Sequence, residues 1–114
     1  RKKMNRLVET CKEALQSAIK LVRPGAFLGD IGATIQNLAE GRGYSVVREF
    51  CGHGIGRSFH EDPQVLHVGK FGEGLELKKG MVFTIEPMIN EGKPDLEILI
   101  VTPCNLPTDL VVII

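Results

Sequence analysis

From Met4 to Val22 the apolar residues Met4, Leu7, Val8, Cys11, Leu15, Ala18 and Val22 recur at steps of three and four, the spacing that lines one face of an α-helix. Pro24 and Gly25 end the pattern, because proline has no backbone N–H to donate and glycine permits a sharp turn. A second, shorter helix is predicted from Asp30, placed as its N-cap, through Ile31, Ile35, Leu38 and Ala39 to the "GRG" of residues 41–43. Beyond it the chain turns β-branched and aromatic. "YSVVREF" and the short extended piece "PQVLHV" read as strands, and "MVFTIEPMIN" is the strongest strand of the chain. "GKFGEGLELKKG" is a glycine-rich loop with a turn at Lys79-Gly80. Two helices followed by several strands predict an α+β unit, with the helices packed on a mainly antiparallel sheet. The final "LVVII" is either a buried last strand or an exposed, association-prone end.

Composition narrows this picture. A chain of 114 residues with 43% hydrophobic positions can bury one core. Fourteen basic and fourteen acidic residues cancel, so no bulk field attracts nucleic acid or an anionic membrane, and neither DNA nor a membrane is an expected partner. Cys11, Cys51 and Cys104 are odd in number and form no C-x-x-C pair, which points to reduced thiols in a cytoplasmic protein. No apolar run reaches the roughly 18 residues of a membrane span, and no signal peptide is visible. A first residue that is Arg, already in helical phase, suggests that further sequence precedes it.

The chemistry concentrates in "CGHGIGRSFHEDP", residues 51–63. A dinucleotide loop needs G-x-G-x-x-G opening a helix, whereas Gly52, Gly54 and Gly56 alternate and run on into Pro63. Alternating glycines instead strip side chains from one face of an extended segment, so that another backbone or a ligand can approach. His53, flanked by two of them, is a candidate metal ligand; the alternative is a half-buried imidazole satisfied by a backbone carbonyl. Glu86 lies inside the most hydrophobic strand, where an ionised carboxylate needs a partner or a metal. Thr84 and Glu86 share one face of that strand, which either lines a site or is the solvated face of an edge strand marked by Pro87. His60, seven residues after His53, joins it only if the chain turns between them. It is then placed to donate to a carbonyl oxygen as charge develops. Phe59 can wall an apolar pocket or belong to the core, and His67 is read as structural or surface.

"SVVREFCGHGIGRSFHEDPQVLH" followed by "LKKGMVFTIEPMIN" resembles the C-terminal half of the type 1 methionine aminopeptidases of bacteria, over roughly Met4 to Leu99. The resemblance implies residues 1–99 as that half and residues 100–114 as a tail that departs from the family. It implies one half of a "pita-bread" fold, in which two αβ halves clasp two divalent ions of cobalt, manganese, iron or zinc. The implied activity is removal of the initiator methionine from nascent polypeptides, which brings the ribosome in as a possible setting. His53 matches the family's histidine metal ligand. Glu86 matches a carboxylate ligand on the same metal and a proton relay. His60 matches the catalytic histidine that contacts the scissile peptide, and Phe59 a wall of the methionine pocket.

The departures are equally specific. The family's earlier half, with two aspartate ligands and another histidine, has no counterpart in the chain. Its last glutamate ligand, in an S-L-S-A-Q-x-E-H-T context, is replaced by "IVTPCNLPTDLVVII", which holds no glutamate. Asp95, Glu97 and Asp109 lie in none of these motifs. Two of five implied ligands remain, so the chain by itself is expected to bind metal weakly, if at all, and to show little or no aminopeptidase activity. An exposed apolar face and sheet edge would favour a dimer or docking to a separate first half. A non-enzymatic binding module of the same half-fold, or a piece of the related aminopeptidase P and prolidase group, are the alternatives.

Overall fold

The structure is a computed structural model that describes residues 2–48, 51–91 and 110–113. Helix α1 spans Lys2–Leu21 and helix α2 spans Leu28–Gly41. Strands β1 (Tyr44–Val46), β2 (Gly52–Gly54), β3 (Glu61–Val65), β4 (Val82–Ile85), β5 (Ile89–Glu91) and β6 (Leu110–Ile113) follow. They form a two-stranded sheet, β1-β5, and a four-stranded sheet ordered β3-β2-β4-β6, with every pairing antiparallel. The expected α+β architecture of two helices on an antiparallel sheet is what the chain adopts.

The helix periodicity places Ala14 and Ala18 fully inside, where their small side chains let α1 approach α2, beside Cys11 and Leu15. Ile31, Ile35 and Ala39 of α2 meet them, and Val46, Val65, Phe83, Ile85 and Ile89 complete one core from both sheets. Burying a branched aliphatic or aromatic side chain stabilises the fold by about 1.5–3 kcal/mol each. Burial also lifts the Cys11 thiol to about 11, so it stays protonated and acts as a small apolar residue.

Three details differ from the sequence reading. Asp30 is not the N-cap of α2: the helix begins at Leu28, and the Asp30 carboxylate reaches back to accept the Phe27 N–H at 2.9 Å. The same carboxylate accepts the Gly72 N–H at 2.8 Å, and these two bonds hold its pKa below the usual carboxylate value. "MVFTIEPMIN" is not one strand. It breaks at residues 86–88 into β4 and β5, which belong to different sheets. Finally, β4 is not an edge strand, since β2 and β6 flank it.

The predicted turn at Lys79-Gly80 is present, with Gly80 at φ +95°, a conformation that favours glycine. "LVVI" of the C-terminal stretch forms β6 and pairs with β4 from Val82↔Ile113 to Ile85↔Leu110. Asp95, Glu97, Cys104 and Asp109 lie outside the described residues.

Candidate functional site

The alternating glycines create the site by letting three strands crowd together. A Cβ on Gly52 would overlap the Thr84 carbonyl oxygen, and one on Gly54 would overlap the Asp62 carbonyl oxygen. With those positions bare, β2 lies against both β3 and β4 with His53 at its centre. The β2–β3 register shifts between His53 and Gly54, so that Glu61, not Pro63, faces Gly54. Such an irregularity bends a strand and re-aims its side chains. The intervening loop brings the His60 ring to 4.0 Å and the Phe59 ring to 5.6 Å from that of His53. Phe59 and His60 meet edge to face at 4.6 Å, and Phe59 remains 72% exposed.

Glu86 follows directly on the last residue of β4. Its Oε2 stands 3.2 Å from His53 Nε2 and accepts a 2.7 Å hydrogen bond from the Thr84 hydroxyl. The His53 and Glu86 side chains are 13% and 33% exposed. Thus His53, Phe59, His60 and Glu86, distant in sequence, gather at one place. A cleft of about 690 Å³ opens there, lined by Cys51, His53, His60, Gln64, Glu86 and Met88 among others.

The donor chemistry of this pair suits a divalent ion. His53 Nδ1 lies 3.1 Å from the Gly54 carbonyl oxygen, which can only accept, so Nδ1 carries the hydrogen. In the neutral ring Nε2 then directs a lone pair at a carboxylate oxygen 3.2 Å away. Two electron-rich atoms so placed call for a proton or a cation between them. A histidine that donates one ring N–H to a carbonyl and presents the other nitrogen is the usual arrangement of an imidazole ligand. One imidazole and one carboxylate fit two positions on a manganese, iron, cobalt or zinc ion. Among the described residues no group of three or more His, Cys, Asp or Glu is placed to hold an ion. The pair therefore offers fewer donors than the three or four of a site built by protein alone.

His67, read from the sequence as structural or surface, belongs to the interior. It is 2% exposed, and its Nε2 accepts the Glu86 backbone N–H at 3.0 Å. Burial lowers its pKa to about 4, so the ring is neutral and free to accept. The signal for its burial was its setting among Val65, Leu66 and Val68; nothing in that setting points to Glu86.

Comparison with known proteins follows the same lines. The profile of metallopeptidase family M24 matches residues 1–102. The methionine aminopeptidase of Rickettsia prowazekii is 55% identical over 93 residues, which cover 82% of this chain and 36% of that protein. That of Escherichia coli K12 is 54% identical over 91 residues, 80% of this chain and 34% of the other. The chain thus spans about a third of the length of the curated relatives it matches. The crystal structure of the Rickettsia prowazekii enzyme superposes with a TM-score of 0.81 at 54% identity, covering 83% of this chain and 38% of that one. A prolidase from Pyrococcus horikoshii superposes at 0.64 with 30% identity, covering 76% and 24%. The architecture is accordingly part of the pita-bread fold that these proteins share.

Proposed function

The chain belongs to metallopeptidase family M24, and from that premise we propose that its protein removes the N-terminal methionine from nascent polypeptides in the cytoplasm. The observation that carries this reading is the His53–Glu86 pair at 3.2 Å, with the His60 ring against His53 in the same cleft and the Phe59 ring beside both. Identity of 54–55% to methionine aminopeptidases against 30% to a prolidase favours the methionine enzymes within the family.

In this reading His53 and Glu86 would supply two of the donors to divalent ions of cobalt, manganese, iron or zinc. Bound there, such ions polarise a peptide carbonyl and acidify water near neutral pH. Glu86 doubles as a proton acceptor, its carboxylate being oriented by the Thr84 hydroxyl. His60 donates an N–H to the carbonyl oxygen as it gains charge, a contribution of about a hundredfold or more. Phe59 and Met88, both exposed beside these groups, offer an apolar and a polarisable surface to a methionine side chain. Residues 1–99 form the C-terminal half of the catalytic unit and residues 100–114 depart from it; the profile match over 1–102 supports a boundary there. Two aspartate donors come from a first half, docked or covalent, and the last glutamate donor has no match in residues 100–114.

A binding module without catalysis is the competing reading, favoured by the two-donor count among the described residues. A chimera decides between them. Residues 1–91 of this chain replace the matching segment of the Escherichia coli enzyme, and methionine release from a Met-Ala peptide is followed with manganese or cobalt. The chimera is expected to be active, and H53A, E86Q or H60A to lower its rate by about a hundredfold or more. A folded but inactive chimera sinks the peptidase reading. The 114-residue chain by itself is expected to release little or no methionine, and steady turnover by it would refute the two-ligand account.

A further inference from the structure

Thr84 is 6% exposed, in β4 between β2 and β6. Its hydroxyl touches both members of the donor pair: Oγ1 accepts the His53 backbone N–H at 3.0 Å and donates to Glu86 Oε2 at 2.7 Å. The direction of both bonds is forced, since an amide N–H only donates and an ionised carboxylate only accepts. The hydroxyl proton is therefore committed to Glu86, and an Oγ1 lone pair to the strand that carries His53. The hydrogen-bonded Oε2 is also the oxygen that faces His53 Nε2.

We propose that Thr84 is the positioning residue of this site, its one hydroxyl fixing the spacing and orientation of the imidazole and carboxylate donors from two different strands. Its consequence for a bound ion rests on the metallopeptidase reading above, whereas its hold on the pair does not. Hydrogen-bonded partners behind metal ligands commonly change affinity by 10–100-fold when removed. Neither His53 nor Glu86 would lose its chemistry in a Thr84 variant. What would be lost is their mutual placement.

The test uses the 114-residue chain with T84V, which keeps the shape and drops the hydroxyl, and T84S, which keeps the hydroxyl. T84A, also without hydroxyl but free of the second methyl of valine, is the companion variant should T84V not fold. In the metal-free chain, exchange of the His53 amide followed by NMR is expected to speed up about tenfold in T84V or T84A and to stay within about threefold in T84S. In a manganese titration the dissociation constant is expected to rise about 10–100-fold in the hydroxyl-free variants and to be restored in T84S. Exchange or affinity in T84V and T84A within about twofold of the natural chain overturns the proposal. Absence of manganese binding in every variant, the natural chain included, is what two donors without a first half allow; the chimera then decides the metallopeptidase reading and the exchange measurement alone decides the role of Thr84.

Discussion

Glu86 is held by two neighbours that act on different parts of it. The Thr84 hydroxyl takes the carboxylate, and His67 Nε2 takes the backbone N–H. The second bond requires a neutral imidazole, and burial provides one by lowering the pKa of His67 from 6.5 to about 4. The unfolded chain therefore binds this proton first as the pH falls. Stability due to the neutral ring is complete above about pH 6.5 and is lost progressively down to about pH 4, by about 3 kcal/mol in all. His67→Leu removes that dependence while leaving the Glu86 N–H unpaired, at about 1–3 kcal/mol near neutral pH. Denaturant unfolding at pH 7 and pH 4.5 should show a difference smaller by about 2–3 kcal/mol in the variant. Equal differences in the two proteins would exclude His67 as the titrating group.

At the scale of elements, the glycines of β2 matter for what they leave out. Gly52→Ala drives a methyl into the Thr84 carbonyl oxygen, a backbone atom that cannot swing aside. Overpacking of this kind destabilises by about 1–3 kcal/mol. Gly41, at the end of α2, has open space around it, so Gly41→Ala is expected within about 0.5 kcal/mol of the natural chain. Thermal melts of the two variants check the contrast; similar melting temperatures would mean that close strand approach is not what Gly52 provides.

Much of this level was legible in the sequence. The three- and four-residue periodicity located both helices, because it records one-sided burial directly. The start of α2 was misplaced because a carboxylate reaching back from the third helical residue carries the same sequence signal as one at the cap. The break inside "MVFTIEPMIN" was harder to see. Pro87 marked it, but the change of sheet depends on where the Glu86 N–H finds its acceptor, and that acceptor is 19 residues away at His67.

For the whole molecule, β3 is an outer strand of the four-stranded sheet. Among the described residues, exposed Phe59 and Leu66 flank it in the chain. An unpaired strand edge beside apolar surface favours association. Sedimentation velocity at rising concentration is expected to show self-association of the 114-residue chain, and a compact monomer throughout would count against it. No described helix is long and apolar enough to cross a membrane. The candidate site was legible at this scale in its residues but not in its closure. His53, Phe59, His60 and Glu86 announced themselves by motif, whereas the contacts joining them run through Thr84 and a shifted register that no linear spacing encodes.

The crossover from β4 to β5 is moored by three parts of the fold in succession. Glu86 N–H is taken by His67 just after β3, the Pro87 carbonyl accepts a weak bond from the Cys11 thiol of α1 at 3.5 Å, and the Met88 carbonyl accepts the Val47 N–H at 2.9 Å. Three consecutive residues are thus surveyed from three independent stations, as a point is fixed by triangulation. Substitutions of Cys11 and His67, and Val47→Pro, which removes the N–H, all at residues with no chemistry in the cleft, should then be epistatic with one another, because each frees the same short arc of backbone. Tolerance to mutation is then expected to follow membership of that network as well as distance from the cleft.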